Sequence, residues 1–145
     1  MPSDEEFRRW NQSVIAEFRA NRGVVSQPAF AVLLLTTTGA RTGRRTTTPV
    51  AYGVDDGRVF VVGSKAGAPT HPAWYHNLVA RPEVVVEIGD RTVTGHAVEI
   101  QGDERDRLYA LISQRVPAFK EYEATSTRVF PVIVLDGVPA PARAG

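Results

Sequence analysis

Two tight turns constrain this chain more than any other feature. Asp55-Asp56-Gly57 separates the β-branched run Arg45–Val54 from Arg58–Gly63, and Gly89-Asp90 separates Glu83–Ile88 from Arg91–Ile100. Such turns between runs of Val, Ile and Thr predict β-hairpins, because Asp and Gly tolerate the positive φ that a tight reversal requires. Phe30–Thr37 before the first hairpin and Val129–Leu135 after the second raise the expectation to about six strands. Hairpin-linked neighbours are antiparallel, and a small antiparallel sheet of this size is expected to close or cover its edges as a barrel.

Helices are expected between the strands, which makes the chain mainly β with inserted helices, an α+β class. Ser3 to Arg22 has capping-box spacing at Ser3 and Glu6, and Phe7, Trp10, Val14 and Phe18 fall on one face. That face suits packing against the domain; a lid or a membrane-surface contact is the alternative use of an amphipathic helix. Pro72 to Ala80 is expected to be a short helix opening on a proline, with Pro82 just past its end. Asp103 is the expected cap of a helix running to about Arg115, with Leu108, Leu111 and Ile112 facing inward and Pro117 ending it. The organisation expected is a helix over 1–22, a barrel over 28–136 and a disordered Pro/Ala tail over 137–145.

Composition removes several classes of function. The chain of 145 residues is long enough for one domain with a real core. Its net charge of +1 supplies no field suited to nucleic acid, so an anion site must come from local clustering. With no cysteine, disulfides, thiolate catalysis and cysteine-based metal sites are excluded. The longest apolar run, Ala29 to Leu35, is far short of the roughly 20 residues of a spanning helix, and the N-terminus has no signal-peptide pattern. A cytoplasmic protein fits these facts, with peripheral membrane contact through the first helix as a further option. His71, His76 and His96 show no metal-ligand spacing, and no G-x-S-x-G elbow is present.

The chemistry-bearing residues gather in two loops. Gly39-Ala40-Arg41-Thr42-Gly43-Arg44-Arg45-Thr46 is superficially like a P-loop, but only three residues separate its glycines and a strand follows it. Its arginines have no acid nearby, and guanidinium forks match phosphate oxygens. Ser64-Lys65-Ala66-Gly67-Ala68-Pro69 lies between a strand and a helix, where backbone N–H groups and a helix N-terminus favour anions. Either loop alone is an ordinary connector. Together they make a candidate two-sided phosphate clamp. On the short helix that follows, the dull reading of Tyr75 is a core residue, and stacking against a flat ring is the functional one.

Three segments carry a resemblance: LLLTTTGARTGRRTTTPVAY, VVGSKAGAPTHPAWYHNLVARPEVVVE and the late Thr127-Arg128-Val129-Phe130-Pro131-Val132. In this order and spacing the chain resembles the deazaflavin-dependent nitroreductase family of actinobacteria, whose members use reduced coenzyme F420. The resemblance runs from about Val14 to Leu135. It implies a split β-barrel of the FMN-binding, pyridoxamine-phosphate-oxidase-like type. It also implies an oxidoreductase that passes a hydride from the deazaflavin to a small electron-poor acceptor such as a quinone, enone or nitroaromatic.

The resemblance places Arg41, Arg45 and Lys65 on the coenzyme phosphate. Pro49, Val62, Gly63 and Ser64 fall at the deazaflavin ring, with backbone groups onward through Gly67 and Ala68 positioning it, and Trp74 and Asn77 on the flanking helix. Ser64 and the segment Val116 to Tyr122, with Phe119 between, fall around the acceptor. Ser64 and Tyr122 are the candidate donors to the charge an acceptor develops as it takes a hydride. FMN in place of F420 is one alternative, and a non-catalytic split barrel carrying a lipid-like ligand or haem is another. Monomer and homodimer both remain open.

Overall fold

The computed structural model describes residues 4–26, 31–65 and 70–141. Six strands are present: β1 Val32–Thr38, β2 Arg45–Asp55, β3 Arg58–Val62, β4 Glu83–Ile88, β5 Arg91–Ile100 and β6 Val132–Pro139. All pairings are antiparallel, and the order β1-β2-β3-β6-β5-β4 closes on itself through β4 and β1. The expected barrel is therefore the fold. The first hairpin reverses through Asp56 and Gly57, both at positive φ (50° and 79°), the backbone that the Asp-Gly pair supports.

Side-chain alternation sorts the strands into an inside and an outside. Val84, Val86 and Ile88 of β4 point inward, and the barrel interior is completed by Leu33, Leu35, Val59, Val61, Ile133 and Leu135, all at most 2% exposed. β1 is buried on both faces, which explains its unbroken Val-Leu-Leu-Leu run: Leu33 and Leu35 fill the barrel, while Val32 and Leu34 lie under a helix.

That helix, α1 (Asp4–Ala20), packs only its second half on the barrel. Val14 and Phe18 are buried against Val32 and Leu34, whereas Phe7 and Trp10 on the same face remain 40% and 43% exposed. A short α2 (Ala73–Ala80) follows Pro72 and puts Trp74 and Leu78 into the core. α3 (Gly102–Arg115) and α4 (Ala118–Thr125) cover the outside of β3 and β6, where Leu108, Ile112 and Phe119 meet Phe60, Phe130 and Val132.

Several expectations shift. Gln101, not Asp103, stands at the N-cap of α3, and Asp103 lies in its first turn, where an acid complements the helix dipole. Pro117 ends α3 by opening α4, a helix absent from the sequence reading. The last strand starts at Val132 rather than Val129 and runs to Pro139, taking in residues assigned to the tail; 142–145 lie outside the described residues.

An ion-pair network ties α3 to the first hairpin: Arg107 and Arg58 both hold Asp55, and both reach Glu104. Arg107 first, then Arg58, hold the Asp55 carboxyl down at about 2. A carboxyl whose pKa is depressed on folding adds stability that is complete above the unfolded value of about 3.9 and lost as pH falls towards the folded one. Asp55→Asn is therefore expected to flatten the fall in stability between about pH 4 and pH 2, measured by denaturant unfolding at several pH values; an unchanged slope would remove the network from acid unfolding.

Candidate active site

β2 pairs with the whole of β1, from Arg45 opposite Thr38 to Ala51 opposite Val32. Its ladder to β3 begins only at Tyr52 opposite Val61. Residues 45–51 therefore have one edge that no strand takes up among the described residues, and Pro49, which has no N–H to leave unpaired, sits in that stretch. Beside the edge lies a cavity of about 780 Å³, within the size range of small-molecule sites of about 300–1,000 Å³. Thr46, Thr48, Pro49, Val50 and Ala51 form one wall, side chains from both faces of β2, as expected where a strand presents its edge.

The other walls come from five segments, one of them β1, which contributes Val32. Val62, Ser64 and Lys65 follow from β3; Pro72, Ala73 and Trp74 open α2; Val116, Phe119 and Tyr122 come from the α3–α4 junction; and Glu6, Phe7, Trp10 and Asn11 of α1 form the roof. The exposed half of α1 is thus the part that overhangs the cavity. Tyr109 supports the aromatic wall, donating from its hydroxyl to the Phe119 carbonyl at 2.9 Å, with Phe119 in turn 6.2 Å, ring to ring, from Tyr122.

Pro49, Val62, Ser64, Lys65, Trp74, Val116, Phe119 and Tyr122, all singled out from sequence, meet at this cavity. Four others do not line it. Arg41 and Arg45 are exposed on and after the β1–β2 turn. Asn77 spends its amide on that turn, accepting from the Ala40 N–H at 3.1 Å and donating to Thr37 Oγ1 at 3.1 Å, so it straps the basic loop to α2. Gly63 allows close approach: a Cβ there would come within 2.9 Å of Pro131 Cγ. Gly67 and Ala68 lie outside the described residues. Tyr75 belongs elsewhere, donating to Glu99 at 2.7 Å beside a smaller cleft of about 300 Å³; burial first, then Glu99, push its hydroxyl up to about 12.

Two features escaped the sequence reading. Arg128 reaches from the loop before β6 to the end of β3, donating to the Gly63 carbonyl at 2.9 Å and the Ser64 carbonyl at 2.7 Å. It also stands 2.7 Å from His71 Nδ1; as a guanidinium can only donate, Nδ1 accepts, and burial and this cation both hold the imidazole pKa down. The next residue, Lys65, adopts φ 47°, a left-handed backbone uncommon for lysine that persists only where its surroundings hold it. The clamp from Arg128 holds the Ser64 carbonyl immediately before it, and Lys65 Nζ donates to Thr70 Oγ1 at 3.5 Å. The second feature is Asn11 on the cavity roof, whose Oδ1 is buried and has no hydrogen-bond partner among the described residues.

An apolar, ring-sized cavity with a strand edge and a cation at Lys65 fits a flat conjugated cofactor that carries a phosphate. Comparison with known proteins agrees. Residues 8–137 match the family model described as F420H(2)-dependent quinone reductase, and the chain belongs to that family. An F420H(2)-dependent quinone reductase of Mycobacterium tuberculosis is 36% identical over 106 residues, 71% of each chain. A solved F420-H2 dependent reductase (FDR-A) superposes with a TM-score of 0.68 at 34% identity, covering 78% of this chain and 97% of its own. A chain solved as a domain-swapped dimer gives 0.69 at 32%, covering 92% and 100%.

Arg128→Met keeps length but removes the donors to both carbonyls. It is expected to lower stability by about 2 kcal/mol and to weaken any ligand of the cavity, with thermal unfolding and ligand titration as the measurements. A variant of wild-type stability and affinity would show that β3 ends where it does without this clamp.

Proposed function

We propose that this chain reduces a quinone at the expense of reduced F420, with the ring of the cofactor and the acceptor both received in the 780 Å³ cavity beside the split between β2 and β3. The observation that carries this is the convergence of residues from six separate segments on one cavity, in a member of the F420H(2)-dependent quinone reductase family. Reduced F420, when bound, supplies the hydride; the chain supplies orientation, cover and charge.

Lys65, with Arg41 and Arg45 on the turn strapped by Asn77, offers cations to the cofactor phosphate, and the Arg128-held strand end sets the backbone beside the ring. Trp74 is only 8% exposed and fixed in the core, which makes it a rigid flank. Phe7 and Trp10 of α1, with Phe119 of α4, cover the cavity and limit water around the acceptor.

An acceptor that gains a hydride becomes anionic and requires a proton or a donor. Ser64, 7% exposed, makes no side-chain hydrogen bond among the described residues, so its hydroxyl is available to the cavity. Tyr122 is half-buried and lines the same cavity from α4. We assign these two as the donors. No helix among the described residues is long and apolar enough to cross a membrane, and the exposed Phe7 and Trp10 give α1 a face for a lipid surface, where apolar quinones reside. The likeness to a chain solved as a domain-swapped dimer makes a homodimer the assembly to test first.

The test is a fluorescence titration of oxidised F420 at low and high salt, with FMN alongside. F420 binding that weakens with salt, and falls about tenfold or more in Arg41→Ala and Lys65→Ala, is expected, since each removes a cation from a phosphate. Tight FMN binding without F420 binding would move the chain to flavin chemistry, and binding of neither would favour a lipid or haem carrier. In turnover, Ser64→Ala combined with Tyr122→Phe is expected to slow reduction while leaving F420 affinity in place; full activity in the double variant would assign the proton to solvent.

A further inference from the structure

The roof of the cavity contains a residue that an amphipathic helix does not require. At 100° per residue, Asn11 lies about 20° beyond Phe18 and about 40° short of Ile15, on the apolar side of α1 that also carries Phe7, Trp10 and Val14. It is therefore a carboxamide set among apolar neighbours. Its side chain makes no hydrogen bond among the described residues, and its Oδ1 is buried and unpartnered. Buried polar groups are nearly always satisfied, because an amide oxygen taken out of water without a donor costs free energy. Asn11 lines the cavity together with Glu6, Phe7 and Trp10 from the same helix. A leucine there would continue the stripe and leave nothing unpaired.

We propose that Asn11 is a specificity-determining residue of the cavity: its carboxamide, held by no hydrogen bond among the described residues, turns so that Oδ1, enclosed while the cavity is empty, accepts a hydrogen bond from an N–H or O–H on the edge of the flat ring bound beneath α1. This assignment rests on the functional reading above and extends it to the helix that forms the roof. Two ring edges offer such a donor. One is the imide N–H of the deazaflavin; the other is the hydroxyl of a hydroquinone, the two-electron product of quinone reduction. Either gives the site a polar reading point in an otherwise aromatic and aliphatic roof. It also gives α1 a reason to close over an occupied cavity, since the helix itself brings the acceptor.

The experiment compares wild type with Asn11→Leu and Asn11→Asp in the full chain, by equilibrium binding and thermal unfolding. The probes are oxidised F420, benzohydroquinone, and the dimethyl ether of that hydroquinone, which has lost its donors. Without ligand, Asn11→Leu is expected to unfold at the same temperature as wild type or higher, because replacing an unpaired buried acceptor by an apolar side chain removes a cost. With ligand it is expected to lose about fivefold in affinity for one donor-bearing probe. Asn11→Asp, which keeps an acceptor, should retain more of that affinity than the leucine variant.

Weakened F420 binding in Asn11→Leu assigns the donor to the deazaflavin imide. Unchanged F420 binding with weakened hydroquinone binding, and no effect on the ether, assigns it to the acceptor. Wild-type affinity for both probes in the leucine variant overturns the assignment and leaves the functional reading standing. A lower unfolding temperature of unliganded Asn11→Leu also overturns it, since it would make Asn11 a structural residue. A wild-type protein that binds neither F420 nor hydroquinone removes the functional reading, and the assignment with it.

Discussion

β2 must satisfy two neighbours that diverge. It pairs with β1 from Arg45 to Ala51 and with β3 only from Tyr52 to Asp55, because β3 ends at Val62, where Gly63 donates to the Pro131 carbonyl at 2.9 Å and the chain turns toward α2. A strand edge inside a folded domain cannot be left both unpaired and dry. Here it is covered by side chains from α1, α2 and α4 at a distance that leaves a cavity. The site is thus a consequence of how a six-stranded barrel closes, and each element that borders it is there to cover the same gap.

The same constraint explains why the site can hold its shape without a ligand. Trp74, Val62 and Val116 are core residues whose surfaces also face the cavity, so the walls are set by close packing. The strand end is set by Arg128, a half-buried cation on the loop that joins α4 to β6. Its partners at the strand end are backbone carbonyls, which makes that restraint independent of what side chains occupy positions 63 and 64, while the glycine at 63 serves the approach of Pro131. The roof is different. Only the second half of α1 is anchored, and its first half carries exposed aromatics. Rigid walls under a partly anchored roof suit a site that must admit a large cofactor and then exclude water.

Legibility in the sequence followed the range of the interactions. Hairpins were readable because Asp56-Gly57 and Gly89-Asp90 act through local backbone preference, and the inward face of β4 because Val84, Val86 and Ile88 alternate. The cavity's residues were found through a family resemblance rather than through periodicity, since Pro49, Trp74 and Phe119 are distant along the chain. α4 was missed because Pro117 reads equally as the end of one helix and the start of another. The start of β6 was misplaced because Val129 and Phe130 are apolar for other reasons: Phe130 packs under α3 and Val129 is 71% exposed. Arg128 and Asn11 left weaker traces. A lone arginine in a loop has no sequence signature for gripping carbonyls some 65 positions away. Asn11 did leave one, a carboxamide amid an apolar stripe.

The account stands on hydride passing to a quinone within this protein, and a single-turnover experiment tests that most directly. Stoichiometric protein and reduced F420 are mixed without oxygen against a naphthoquinone, and the return of the oxidised cofactor's fluorescence is followed. The account predicts a return whose rate rises with quinone, saturates, and far exceeds that of the same mixture without protein. Binding of F420 with oxidation no faster than in the protein-free mixture would contradict it.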